Sequence, residues 1–172
     1  MKYLNIEIKA KCSDQDKIRK ILNSHNADFK GIDHQIDTYF NVNSGRLKLR
    51  EGDIENHLVY YERENKKGPK ESSTILFDSD PRSSLKEVLS RSLGQLVVVD
   101  KKREIYYIDN VKFHLDDVSG LGTFAEIEAA DKDGKIGREK LLEQCNRYLE
   151  LFGIKKEDLL ADSYSDMLIK RK

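Results

Sequence analysis

The amino-acid sequence predicts an α+β fold with about eight antiparallel strands and at least three helices. Two patterns predict this fold class. Short segments in which apolar and charged residues alternate recur along the chain, often separated by glycine, asparagine or proline. Other segments space their apolar residues three or four apart, as on one face of a helix. Because 172 residues suffice for one hydrophobic core and no linker or repeat interrupts them, we expect a single domain over residues 1–172.

The first half of the chain reads as one helix among five strands. Residues 2–11 alternate cleanly, with apolar side chains on one face and polar or charged ones on the other. A helix follows, where Ser13 and Asp16 have the spacing of a capping box. The next strands contain, in order, HQIDTYF within residues 29–42, RLKLRE, HLVYYER and SSTILF. The loop ENKKGPKE before SSTILF includes residues 66–70, which we predict to be solvated.

The second half begins with a helix and ends with two more. Asp80 and Pro81 are typical of a helix start, an apolar stripe follows over residues 85–93, and Gly94 is a typical stop. One or two strands occupy residues 95–108. A hairpin then turns at SGLG within KFHLDDVSGLGTFAEIE, and REKLLEQCNRYLELFG and DSYSDMLIK complete the chain as helices.

The composition excludes several classes of partner. Lysine plus arginine and aspartate plus glutamate number 31 each, so the formal net charge is zero. This balance argues against a general nucleic-acid coat and against a polybasic membrane anchor. No apolar run approaches the roughly 20 residues of a membrane span, and a strand pattern at the N-terminus leaves no room for a signal peptide. Cys12 and Cys145 are far apart, so we expect reduced thiols and a cytoplasmic location.

Charged residues occupy one face of several predicted strands, while the opposite face of each strand is apolar. The charged sets are Glu7 and Lys9; Arg46, Lys48 and Arg50; Lys101 and Arg103; and Lys112, Asp116, Glu126 and Glu128. If the apolar faces pack against the helices, the charged faces point the other way. This leaves two arrangements open, an open sheet with a solvated face and a closed barrel with a charged interior. A barrel of about eight strands can hold one small ligand.

In the barrel arrangement, both signs of charge line one space. Carboxylate oxygens bind Mg²⁺ or Mn²⁺, and water or ligand phosphates usually complete the coordination shell. Arginine and lysine neutralise phosphoryl oxygens. The mixture of acids and bases therefore points to a complex of a divalent metal with a polyphosphate ligand.

Several segments together resemble the CYTH superfamily, the triphosphate tunnel metalloenzymes. They are NIEIKAK, DTYF, LKLRE, the KKR strand and FHLDDVSGLGTFAEIE. The resemblance extends over almost the whole chain to SYSDML, and it is closest to the class IV adenylate cyclase branch. It implies a closed antiparallel tunnel, a divalent metal (Mg²⁺ or Mn²⁺) and a triphosphate substrate such as ATP. Because cyclase-branch relatives often form dimers, it also implies a homodimer.

The resemblance also assigns roles to individual residues. The family's metal-binding and catalytic acids match Glu7, Asp116 and Glu126, and Glu128 is a further candidate acid. The family's phosphate-binding cations match Lys9, Arg50, Lys101 and Arg103, and Lys9 is predicted to be catalytic as well. Arg63 falls near a family lysine, and Lys48 shares the charged face of Arg50. These ten positions form the predicted site.

The sequence departs from the family at Asn5, where the ExExK motif of the first strand has a glutamate. An asparagine oxygen can coordinate a cation but brings no charge, so the number of metals stays open. Three functions therefore remain: an adenylate cyclase producing cyclic AMP and pyrophosphate, which the resemblance places first; a triphosphatase acting on inorganic, nucleoside or thiamine triphosphate; and a non-catalytic polyphosphate-binding protein. Nothing in the sequence identifies an adenine pocket.

Four other residues are given structural interpretations. His34 and His114 each stand alone and are interpreted as satisfied structural histidines rather than as bases or ligands. Tyr164, in the last helix, is expected to pack against one end of the barrel and close it. Asp37 matches a family acid and is expected to pair with an arginine of the tunnel.

Overall fold

The computed structural model of the chain describes all 172 residues and shows eight strands closed into a barrel. The strands are β1 (Lys2–Lys11), β2 (Asp28–Phe40), β3 (Arg46–Gly52), β4 (His57–Arg63), β5 (Lys70–Asp78), β6 (Gln95–Ile108), β7 (Val111–Val118) and β8 (Gly122–Asp131). Neighbouring strands are antiparallel in the order β1-β5-β4-β3-β2-β6-β7-β8, and β8 pairs with β1. The predicted closed antiparallel barrel is therefore confirmed, and the open sheet is excluded.

Four α-helices accompany the barrel. They are α1 (Gln15–Ser24), α2 (Leu85–Leu93), α3 (Arg138–Leu151) and α4 (Tyr164–Lys170). None of them combines the length and the apolar character that a membrane-crossing helix needs. Ser163 begins α4 with a capping box, because its hydroxyl accepts the Asp166 N–H and the Asp166 carboxylate accepts the Ser163 N–H.

The main hydrophobic core lies outside the barrel, between its wall and helices α1 and α3. It contains 17 buried residues, including the outward-facing Ile6 and Ile8 of β1. Phe113 of β7 packs against Tyr148 and Phe152, with ring centroids 4.7 and 5.5 Å apart. Because alternate residues of a strand face opposite sides, burying the apolar face outside the barrel turns the charged face inward.

A smaller apolar cluster closes one end of the barrel. It consists of Tyr39, Val97, Val99, Val118, Phe124 and Tyr164. Tyr164 comes from α4, and its ring lies 4.9 Å from that of Phe124. Tyr164 therefore packs at one end of the barrel, as predicted.

Two helix boundaries differ from the sequence prediction. Asp14, not Ser13, caps α1, since its carboxylate accepts the Lys17 N–H. Helix α2 begins at Leu85 rather than at Asp80, because the Asp80 side chain accepts the Arg82 N–H at 2.9 Å and forms a turn instead. None of the α2 residues is buried, so its predicted apolar stripe does not join the core.

The prediction that residues 66–70 form a solvated loop is wrong at Lys70. Lys70 is the first residue of β5 and is fully buried. Its Cα pairs with that of Glu7 on β1, so the register turns both side chains to the same, inner face.

Candidate functional site

The inside of the barrel is a cavity of about 940 Å³. This volume lies in the range of small-molecule binding sites. Charged side chains from β1, β3, β4, β6 and β8 line it, among them Glu7, Arg50, Arg63, Lys101 and Glu126. The sequence-predicted site residues therefore converge on one space, as the alternation of charge along the strands requires.

A basic half of the tunnel surrounds the carboxylate of Asp37. The guanidinium of Arg50 donates to both Asp37 oxygens at 2.9 Å, and Lys48 and Lys101 approach the same carboxylate at 3.1 and 2.8 Å. The predicted pairing of Asp37 with a tunnel arginine is thus observed. Although burial alone would raise the pKa of Asp37, the three cations lower it well below its usual range. Three cations meet the Asp37 carboxylate here, and only Arg50 among them also contacts a second acid, Glu55, so positive charge is left for an anionic ligand.

Lys101 titrates near neutral pH in this basic half. Burial, together with the nearby Arg50 and Arg103, outweighs Asp37 and lowers the pKa of Lys101 to about 7. The ammonium group is therefore readily stabilised by any additional anion, since an anion favours the charged form of a lysine.

The acidic half of the tunnel lies on β1, β7 and β8, and each of its acids has a partner. Glu7 pairs with Arg63, and Glu126 pairs with Lys9. Glu126 also has His114 Nδ1 at 3.0 Å and Arg103 at 3.3 Å. Glu128 accepts a hydrogen bond from the Asn5 amide at 2.7 Å. The partners of Asp116 are Arg103 and Tyr164. Positive and negative charges are nearly balanced here, in contrast to the basic half.

Asp116 is the most enclosed of these acids. Its carboxylate accepts two hydrogen bonds from Arg103, at 2.7 and 2.6 Å, and one from the Tyr164 hydroxyl at 2.7 Å. The ammonium of Lys9 lies 3.4 Å from the centre of the Tyr164 ring. Tyr164 therefore does more than close the tunnel, because it joins Lys9 and Asp116 at the closed end.

The donor set on β1 and β8 fits a hard divalent cation. No three acidic, histidine or cysteine side chains converge on one point, because cations separate them. Glu7 and Glu128 nevertheless stand opposite each other, and Glu126 lies two residues along the strand. The buried Asn5 Oδ1 has no hydrogen-bond partner, which is costly unless something fills the position. All four groups offer the oxygen ligands that Mg²⁺ and Mn²⁺ prefer.

Asp116 was predicted beside Glu7 and Glu126 as a metal ligand. The structure places it behind Arg103, with its oxygens engaged by Arg103 and Tyr164. A metal would reach Asp116 only if Arg103 moved. In this arrangement Asp116 orients Arg103 instead.

The two histidines lie in different environments. His34 is on the outside of the barrel, where its Nε2 lies 2.8 Å from Asp100. His114 is in the tunnel wall behind Glu126 and does not line the cavity. Neither ring lines the cavity. The prediction of a satisfied histidine is wrong for one nitrogen of His114, because its buried Nε2 has no hydrogen-bond partner.

Sequence reasoning missed two charged residues of the tunnel. Lys70 donates to the backbone oxygen of Leu160 at 2.7 Å, and burial lowers its pKa to about 8. Glu55, in the loop between β3 and β4, accepts from Arg50 at 3.0 Å and pairs with Lys112. The register of β5 with the first strand could have indicated Lys70. Glu55 has no such signal, because loop residues follow no strand periodicity.

Comparison with known proteins places the chain among proteins of similar architecture. The family model described as CYTH domain matches residues 4–164. A Methanocaldococcus jannaschii protein named "Putative adenylate cyclase MJ0240" is 25% identical over 172 residues, covering 95% of this chain and 98% of its own. The PH1012 protein of Pyrococcus horikoshii OT3 superposes with a TM-score of 0.78 at 25% identity, over 94% of this chain and 98% of that one.

A more distant structure is similar in fold alone. It is the adenylyl cyclase homologue HpAC1 from Hippeastrum, which is described as having a dominant triphosphatase activity. Its TM-score is 0.61 at 14% identity, over 98% of this chain and 95% of that one. The barrel is therefore shared by proteins named for two different reactions.

Proposed function

The chain belongs to the CYTH domain family, and from this premise we propose that its tunnel binds the triphosphate group of a small molecule and acts on it as a metal-dependent enzyme. The observation that carries the proposal is the division of the tunnel into a basic half around Asp37 and a carboxylate-rich half on β1 and β8. A polyphosphate chain complements the first half, and a divalent cation complements the second.

We assign the phosphate chain first to Lys48, Arg50 and Lys101. These cations share Asp37, so they retain positive charge toward a ligand. Lys9, Arg63 and Arg103 are the further phosphate-binding residues, and the first two of these are paired with Glu126 and Glu7 in the free protein. A phosphate chain would draw these cations away from the carboxylates, since phosphoryl oxygens accept the same charge-assisted hydrogen bonds.

The released carboxylates of Glu7 and Glu126, with Glu128, would hold Mg²⁺ or Mn²⁺, which supplies Lewis-acid polarisation of a phosphoryl oxygen. Asp116 keeps Arg103 directed at the cavity through its two hydrogen bonds. Lys9, held between Glu126 and the Tyr164 ring, is placed to stabilise charge on a phosphoryl group at the closed end. The side chains of this chain thus exchange partners when a ligand enters.

Of the reactions open to this site, we place the conversion of ATP to cyclic AMP and pyrophosphate first, following the name of the archaeal relative. There the ribose 3′-hydroxyl attacks the α-phosphorus, and the basic side chains stabilise the leaving pyrophosphate. The alternative is hydrolysis of a triphosphate, which the activity described for the Hippeastrum protein favours. Asn5 favours the third function, binding without turnover, because it removes one acid from the site.

One assay separates these functions. The protein is incubated with ATP, inorganic triphosphate or thiamine triphosphate, each with Mg²⁺ or Mn²⁺, and cyclic AMP and inorganic phosphate are measured separately. Cyclic AMP with pyrophosphate identifies the cyclase, and phosphate release identifies the triphosphatase. Binding by calorimetry without either product identifies the binding protein. The homodimer, the cytoplasmic location and the single domain over residues 1–172 stay predictions.

Replacing Asn5 with glutamate is expected to raise Mn²⁺ affinity about tenfold, because a negatively charged carboxylate attracts the cation more strongly than a neutral amide oxygen does. Asn5 now donates to Glu128 and leaves its own oxygen unpartnered. Without metal, the new carboxylate would face Glu128, so the variant should melt at a lower temperature and gain more from Mn²⁺. Titration of Mn²⁺ without nucleotide measures the affinity. Asn43→Glu, in the exposed turn before β3, is the control, and equal affinity in all three proteins would contradict a metal at Asn5.

Binding of inorganic triphosphate is expected to take up protons at about pH 8, because the pKa values of Lys101 and Lys70 are lowered to about 7 and about 8 and an anion raises them again. Affinity should therefore fall as pH rises through this range. The stability of the free protein changes in the opposite sense and rises with pH. Above about pH 7 the folded state binds fewer protons than the unfolded one, so these lysines make stability rise with pH toward their unfolded value of 10.5.

Calorimetry in two buffers of different ionisation enthalpy measures the proton uptake. Lys101→Met should remove part of it, while Lys102→Met, which alters the exposed neighbouring residue, should not. A heat of binding that does not depend on the buffer would show that both lysines are already charged in the free tunnel.

A further inference from the structure

Glu55 differs from the other ion-paired acids of the tunnel because a loop supplies it. The loop joins β3 to β4, and a buried carboxylate anchors it. Asp33 of β2 accepts the N–H groups of Ile54 and Glu55, at 2.9 and 3.0 Å, and has no exposed surface. Gly52 lies against the same carboxylate, where a Cβ atom would come within 2.7 Å of it. The position of Glu55 is therefore fixed by the fold rather than by chance contact of a mobile loop.

The Glu55 side chain points into the tunnel, where its carboxylate contacts residues of three different strands. One carboxylate oxygen accepts from Arg50 at 3.0 Å and Gln35 at 3.1 Å, and the other pairs with Lys112. Arg50 is on β3 and Lys112 is on β7, which β2 and β6 separate in the barrel. The Glu55–Lys112 pair thus connects distant parts of the wall across the bore. Although burial would raise its pKa, Lys112 and Arg50 lower the pKa of Glu55 below its usual range, so the carboxylate is charged.

A carboxylate and a phosphoryl group compete for the same partners. Both accept charge-assisted hydrogen bonds from guanidinium and ammonium groups. In the free protein, Arg50 is shared between Asp37 and Glu55, and Lys112 is taken by Glu55. Lys112 is therefore not available to a ligand phosphate until Glu55 releases it, whereas only one of the three hydrogen-bonding nitrogens of Arg50 is engaged by Glu55.

We propose that Glu55 is a specificity-determining residue that withholds Lys112 from the phosphate chain and so biases the tunnel toward short chains. The proposal rests on the proposed function, because it takes a phosphate chain to be the ligand. A longer chain carries more charge and extends beyond Lys48, Arg50 and Lys101 to Lys112, which Glu55 occupies. It must therefore displace Glu55 or meet it as a like charge.

The test compares inorganic diphosphate, triphosphate and tetraphosphate by calorimetry without metal. Glu55→Gln keeps the shape of the side chain but removes its charge. This variant is expected to bind tetraphosphate about tenfold tighter than the wild type, triphosphate less so and diphosphate almost equally, since coupling between close charge pairs reaches this size. Glu51→Gln is the matched control, because Glu51 lies in β3 just before the same loop but pairs with Lys86 and does not line the tunnel. Unchanged or weaker tetraphosphate binding by Glu55→Gln overturns the proposal.

A second variant identifies the cation through which Glu55 acts. In a Lys112→Met background, the gain from Glu55→Gln should shrink markedly, and an undiminished gain would contradict the role of Lys112. If Glu55→Gln is less stable, the rise in Tm on adding tetraphosphate still reports binding and should exceed that of the wild type. Binding by the wild type with an unchanged Glu55→Gln variant would refute only the role of Glu55. No binding of any chain by either protein would refute the proposed function as well.

Discussion

Replacing Arg103 with methionine is expected to lower the free energy of unfolding by about 3–5 kcal/mol, the usual cost of breaking a buried ion pair from one side. Arg103 donates two hydrogen bonds to Asp116, which has no exposed surface. Without the guanidinium, a buried carboxylate would keep only the Tyr164 hydroxyl. Repulsion among the clustered cations acts in the opposite direction, because removing one of them would raise the free energy of unfolding. We expect the loss of the two hydrogen bonds from Arg103 to Asp116 to outweigh this relief.

Urea denaturation of the Arg103→Met variant measures this loss. Lys102→Met serves as the control, because Lys102 directly precedes Arg103 in β6 and is exposed. Adding Asp116→Asn to Arg103→Met should recover much of the stability, since the unpaired charge disappears while a hydrogen-bonding group stays. An Arg103→Met variant as stable as the wild type would mean that Asp116 is already neutral in the folded protein.

The barrel could be predicted largely because its strands have a simple period. In β1, apolar residues face the helices and polar residues face the tunnel, and its predicted bounds match those observed. The choice between an open sheet and a closed barrel could not be made in this way. Both satisfy the same alternation, and closure depends on the pairing of β8 with β1, about 120 residues apart in the chain.

The site was predicted as a set of facing charges, and the pairing of Asp37 with a tunnel arginine was the one ion pair predicted in it. Which acid meets which cation depends on distances across the bore, and periodicity contains no information on these. The pairing of Glu7 on β1 with Arg63 on β4 is of this kind, because β5 separates the two strands. Helix α2 shows the opposite kind of error, in which the sequence pattern predicts packing that the structure does not contain. Its apolar stripe predicts packing, yet no element covers it, and Val88 is 58% exposed.

Replacing Glu126 with glutamine is expected to reduce metal-dependent turnover at least about 100-fold, since loss of even an outer partner of a metal ligand costs up to this much. Glu126 lies where the two halves of the tunnel meet, in contact with Lys9, His114 and Arg103. In the proposed exchange it leaves Lys9 to a phosphoryl group and turns to the metal. A glutamine oxygen can still accept from Lys9, so the free protein should keep its fold.

The rate is measured over a range of Mn²⁺ concentrations, with Mn²⁺ binding followed in parallel by calorimetry. Asp117→Asn, on the exposed face of the same hairpin, controls for the loss of one negative charge. If Glu126 acts through the metal, the variant should need more Mn²⁺ as well as turn over slowly. A slow variant with unchanged Mn²⁺ affinity would instead assign Glu126 to the orientation of Lys9, and near wild-type turnover at low Mn²⁺ would remove Glu126 from the reaction. These outcomes differ because Lys9 and the metal compete for the same carboxylate.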